Sequence, residues 1–350
     1  MAVVEPTSLA LLTCQRSADR SGATWQAVLE PLTNLRMVVS DQAKGIAAGI
    51  AGAAIAQGRD TAGRPPINHG LDVFHTAQEA QRTLRRPWRV AIAACDAVDQ
   101  ADAKVADAKR VGRDARTVAG AARVAREQAQ ACLADLERQH VAWQRARAAL
   151  TMFRPDGTLN DREHAEGEIQ AARVDLTGRD WQKARNALTD PRAVTFLDRM
   201  HQRLREAVPD DGLRAACERR WWLRHHRPEA NVPAADCSID GWLDEVIRNR
   251  ELNPVEQAAY DRVAAVFRTT VRASSAVEGI NSVLRMHQGR HRQMTQGMLD
   301  LKRLYWNCRR PHTGRRRGKS PYELLGVALP STNFWTLLAH PPRLPQTLSN

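Results

Sequence analysis

The sequence predicts an α/β core interrupted by a long all-helical stretch, mostly helical overall. Three observations carry this reading. Residues 2–74 alternate short β-rich runs with helical ones. Residues 88–154 contain no proline and repeat an apolar position every seven residues. Positive charge then gathers in one carboxyl-terminal segment: of a formal net charge of +13, residues 268–319 carry +11, with 13 basic residues against Glu278 and Asp300. Strand-helix alternation is the pattern of layered α/β proteins, and a basic segment of that density points to a polyanionic partner.

Residues 2–4 and 9–14 are apolar runs split by the Pro6-Thr7 turn signal. Ser21 is placed to cap a helix through Trp25, Val28 and Leu29 that stops near Pro31. Residues 35–39 are β-rich and end at Ser40-Asp41. A Gly/Ala/Ile helix follows over residues 45–56. Those 12 residues fall short of the roughly 20 that a bilayer span needs, so no membrane partner is expected. Residues 67–74 form the next strand candidate.

Stepping by seven from Ala101 reaches Ala108, Ala115, Ala122, Ala129, Leu136, Trp143 and Leu150, all apolar. Val111, Val118, Ala125 and Cys132 form a second column. This is a heptad seam, predicting a long helix that folds back on partner helices. Further helices are expected over 161–176, 179–188, 191–207, 212–225, 254–270, 276–288 and 294–308. Residues 227–237 read as a linker. A basic loop spans 310–320, a short helix begins at Pro321, and the rest is a Pro-rich peripheral tail. The domain boundaries that follow are 1–75, 76–253, 254–326 and 327–350. The six cysteines lie far apart in sequence, which excludes a zinc knuckle or a CxxC pair and suggests free thiols.

Four places could carry chemistry. Asp41 follows a strand and precedes a helix, where α/β proteins build sites; it equally suits a helix N-cap. Glu278 is one of two acids in the basic segment, and Asn281 shares its helix face. A glutamate in a first helical turn is also ordinary dipole chemistry. Asp72 and His75 could support a site from behind or simply be turn groups. Last, Arg272, Arg285, Arg309, Arg310, His312, Arg315, Arg316, Arg317 and Lys319, with Tyr305 and Trp306, combine cations with stacking faces suited to nucleic acid. Gly314 to Ser320 imitates a phosphate-binding loop, but its spacing is one residue short and no strand precedes it.

In their order, these pieces resemble the catalytic domain of DDE transposases of bacterial insertion sequences, within the RNase H-like, retroviral-integrase-like superfamily. The resemblance rests on Val4-Glu-Pro-Thr-Ser8, the block from Asp19 to Asp41, Gly70-Leu-Asp-Val-Phe-His75, Ser274-Ser-Ala-Val-Glu278-Gly-Ile-Asn281, and Asn307-Cys-Arg-Arg-Pro-His312 with Gly318-Lys-Ser-Pro321. It implies an RNase H-like core with one mixed sheet and a large helical insertion. It also implies metal-dependent cleavage and strand transfer in DNA transposition. Asp41 and Glu278 would be metal-binding catalytic carboxylates, and two Mg²⁺ (or Mn²⁺) ions the cofactors. The partners would be double-stranded DNA, as transposon ends and target, and further copies of the chain, at the nucleoid in the cytoplasm. The family's first aspartate lies on a strand ahead of the stretch matching Val3-Val-Glu-Pro6, where this chain offers no candidate. The resemblance therefore implies an amino-terminally truncated, first-strand-deficient copy, inactive or impaired. Two other readings compete: a non-catalytic DNA-binding remnant or inhibitor of transposition, and a helical scaffold to which DNA is irrelevant.

Overall fold

The structure, a computed structural model, describes residues 1–59, 66–226, 239–290, 294–314 and 316–342. The chain divides into two compact units, one of Met1–Phe74 with Ala265–Asn350 and one of His75–Ala264. The described residues are mostly helical, and their four strands all lie in the first unit.

In chain order the first unit opens with β1 (Ala2–Val4), β2 (Leu11–Cys14), α1 (Gly22–Leu29), β3 (Met37–Ser40), α2 (Lys44–Ala56) and β4 (Asn68–Leu71). Next come α3 (Val73–Arg110), α4 (Arg116–Ala149), α5 (Arg162–Arg173), α6 (Gln182–Leu188), α7 (Thr195–Ala207), α8 (Asp211–His225), α9 (Ile239–Asn249) and α10 (Pro254–Thr269). The chain closes with α11 (Ser275–Arg290), α12 (Gln296–Cys308), α13 (Pro321–Leu324) and α14 (Phe334–Ala339).

β1 and β2 pair antiparallel, while β3 and β4 pair parallel. The expected single mixed sheet is not formed. Each sheet has two strands, and no described strand pairs with both β1 and β3. The two sheets nevertheless share an apolar layer, because Val3 of β1 and Val38 of β3 both pack on Leu29, Ile50, Ala53 and Ile67. On another side, Ala2 and Val4 pack with Leu11, Cys14, Ile280 and Leu299. The alternation of side chains along a strand sends β1 into both clusters.

Ser21 caps α1, accepting from the Thr24 N–H. The pairing of α1 with α2 depends on missing side chains. A Cβ at Gly45 would overlap the Arg20 carbonyl, and one at Gly49 would overlap the backbone of Trp25 and Gln26. The small residues of the 45–56 run thus let two helices approach nearly backbone to backbone.

In the second unit the heptad stretch forms two helices. The chain reverses after Arg110 at Gly112 (φ 70°), a left-handed position that suits glycine, and restarts at Arg116. The apolar column is buried where α4 meets its neighbours, at Ala122, Ala129, Trp143 and Leu150. Trp181 donates to Gln139 at 2.7 Å beneath it. α3 also runs through Pro87. Proline offers no N–H to the preceding turn; the Thr83 hydroxyl bonds there to the Glu79 carbonyl at 3.1 Å. α9, in a stretch with no assigned element, is helical. The tail is not wholly peripheral: α14 buries Leu337 against Cys308, Tyr322 and Val327.

Replacing Gly49 by leucine should lower unfolding stability by about 1–3 kcal/mol, the usual range for overpacking. Chemical denaturation reads this directly, and an unchanged midpoint would contradict the close approach of α1 and α2.

Candidate functional site

Parallel pairing of β3 and β4 sets Ser40 opposite Leu71. The next residues, Asp41 and Asp72, therefore leave adjacent strands at their carboxyl ends, and the Asp72 N–H continues the ladder to the Ser40 carbonyl at 2.8 Å. The two aspartates then diverge in environment. Asp41 is exposed, and its Oδ1 accepts the Ala43 N–H at 3.1 Å. It is not the α2 N-cap, which is Ala43, with no side-chain cap bond.

Asp72 is 1% exposed. Its Oδ1 accepts the Phe74 N–H at 2.8 Å, and its Oδ2 accepts the Ser274 N–H at 3.1 Å and the Ser274 hydroxyl. The Val73 N–H adds a bond to the Arg272 carbonyl at 3.0 Å. These bonds fasten the start of α11 to the end of β4 across 202 residues of sequence. Glu278 lies in the first turn of α11, its N–H bonded to the Ser274 carbonyl at 3.1 Å, and is half-buried, as is Asn281. Asp72 thus holds the helix that carries Glu278. His75 falls in the second compact unit, in the first turn of α3, and is half-buried.

Among the described residues, no three His, Cys, Asp or Glu side chains gather as a metal site would require. Asp41 and Glu278 are oxygen donors of the kind that suit Mg²⁺ or Mn²⁺. Asp72 is not a third ligand of the same sort, since both its oxygens already accept protein hydrogen bonds.

The basic segment ends in a folded loop that follows α12. Gly314 (φ 81°) and Gly318 (φ 75°) turn the chain, and the Gly318 N–H closes on the Pro311 carbonyl at 2.9 Å. Ser320 and Glu323 form a capping box at α13, with Pro321 in its first turn. Arg310 forks onto the Glu323 carboxylate, with its Nε at 2.9 Å. That fork, with the Ser320 bonds, holds the Glu323 pKa at about 2, far below an ordinary glutamate. Arg316 is half-buried and donates to the Ser8 carbonyl at 3.3 Å. Arg272 is half-buried too, and burial lowers the pKa of both guanidiniums. Arg316 and the exposed Arg310 brace the loop; Arg285, Arg309, His312, Arg317 and Lys319 are exposed as well. Arg315 lies outside the described residues.

Sequence reasoning assigned no role to Ser274, Glu323 or Asn307. Asn307 is fully buried in α12 and pairs with both polar groups of Leu11: it accepts the N–H at 2.8 Å and donates to the carbonyl at 2.9 Å. Trp306 donates to the Leu9 carbonyl at 2.9 Å, and Gln296 bonds the Arg16 N–H and the Cys14 carbonyl at 2.9 and 3.0 Å. One face of α12 thus satisfies the outer edge of β2 as another strand would.

No protein-family model, curated protein or solved structure matches this chain.

Truncating Asp72 to alanine should cost about 1–3 kcal/mol, because it leaves the part-buried Ser274 and Phe74 N–H groups without their acceptor. Hydrogen exchange at residues 274–278 should accelerate more than exchange in α2; equal protection in both proteins would contradict the clamp. Glu323 adds a pH dependence. Its folded-state pKa, about 2, is depressed from 4.5, so its contribution is full above about 4.5 and is lost as pH falls toward 2. Glu323→Gln should flatten the acid limb of the stability curve in that window.

Proposed function

We propose that this chain is a DNA-binding protein of the DDE transposase kind, built on an RNase H-like core with a helical insertion. It grips double-stranded DNA, transposon ends and target, through the exposed cations of its basic segment. Its setting in this reading is the nucleoid in the cytoplasm, and its assembly is a homo-oligomer. The observation that carries the reading is the tie between Asp72, beside Asp41 at the strand ends, and the first turn of the Glu278 helix. Segments 202 residues apart in sequence meet there, which supports the reading. A second support is the loop that presents Arg309, His312, Arg317 and Lys319 to solvent. Among the described residues no helix is long and apolar enough to cross a membrane.

Asp41 and Glu278 are the side chains that would hold Mg²⁺ or Mn²⁺ in this reading. The role proposed here for the chain is DNA binding through its exposed cations.

Anisotropy titrations of a labelled duplex over a salt series test the proposal. Affinity should fall steeply as salt rises, and replacing Arg309, Arg317 and Lys319 together by alanine should reduce the log–log slope by roughly 0.9 for each phosphate no longer neutralised. An unchanged slope and affinity would overturn it.

A further inference from the structure

We propose that Trp335 and Tyr305 form a base-stacking platform for single-stranded DNA, placed beside Arg309. The inference rests on the DNA-binding reading and names a second form of substrate for the same end of the chain.

Trp335 stands on α14, in the segment that composition marks as a tail. The helix is anchored by other residues: Leu337 is 2% exposed, and Asn333 caps the first turn by accepting the Trp335 N–H at 2.9 Å. The Trp335 side chain is left 74% exposed. An indole that open contributes little to the core, and burial elsewhere already accounts for the position of α14. It also belongs to a series of rings. Trp335 meets Phe334 at 6.1 Å between centroids, and Phe334 meets Tyr305 edge-on at 5.4 Å. Tyr305, on α12, is 48% exposed, and the Arg309 guanidinium lies over its ring at 5.9 Å. Residues 324–350 contain no aspartate or glutamate, so no nearby sequence neighbour repels a phosphate.

A cation next to exposed rings suits a chain that alternates phosphates with aromatic faces. In a duplex those faces are already stacked on one another, whereas unpaired bases present them free. Exposed rings therefore add affinity for single strands specifically, while Arg309 serves both forms. The edge-on contacts of Phe334 with Tyr305 and Trp335 place the three rings together.

The test uses the full chain, a labelled short oligothymidylate and a labelled blunt duplex, each titrated with wild type, Trp335→Ala and Trp335→Phe. Trp335→Ala should weaken oligothymidylate binding about tenfold and shift duplex binding less than about twofold, the scale of removing one base stack. Trp335→Phe should recover most of that loss. Circular dichroism melts of the two variants should match wild type, because the side chain is exposed. Unchanged oligothymidylate affinity in Trp335→Ala, or an equal loss on both probes, overturns the platform. Tighter binding of oligouridylate than of oligothymidylate overturns the assignment to DNA. A change in self-association on sedimentation, with no change in nucleotide binding, makes the rings a protein contact and overturns it as well. Binding of duplex without oligothymidylate defeats this inference alone; binding of neither probe defeats the DNA-binding reading too.

Discussion

The first unit depends on one buried carboxylate. Asp72 ends β4, caps the turn into α3 through Phe74, and receives both polar groups of Ser274. A polar group that deep is tolerated only where hydrogen bonds replace its water. Those bonds tie the start of α11 to the end of β4, as the α12 side chains tie α12 to β2. Without them α11 would still find apolar contacts through Ile280, but its first turn would have no fixed height along the strand ends. The position of Glu278 is therefore set by Asp72 and Ser274 rather than by Glu278 itself.

A similar economy governs β2. Its inner edge pairs with β1, while α12 supplies Asn307, Trp306 and Gln296 to its outer backbone groups. Side chains satisfy an edge less regularly than a strand does, yet they prevent it from pairing with another chain. The same helix carries Tyr305 on its exposed side and leads into the basic loop. One element thus protects the sheet and displays the surface proposed to meet DNA.

How much was legible follows the physics of each signal. Periodicity is local, so the helices of residues 161–225 and 254–308 emerged close to their observed limits. Strand candidates emerged for the same reason. Their pairing did not, because hydrogen bonding between strands is decided by partners distant in sequence, and the expected single sheet is two separate pairs. The reversal at Gly112 lay inside an unbroken heptad column, where a lone glycine weighs little against the apolar positions in register on either side. α14 was hidden by the prolines around it.

The sequence by itself determined the composition of the candidate site: an aspartate after a β-rich run, a glutamate in a basic segment, and the cations that follow. Residue type and spacing carry that information, because charge and helical period are properties of a local stretch. Only the tertiary structure decided how those residues divide the work. It buried Asp72 and left Asp41 in solvent, tied Arg310 and Arg316 into the loop, and left Arg309, Arg317 and Lys319 exposed. Burial and hydrogen-bond partnership belong to the packed chain, and no count of charges along the sequence contains them.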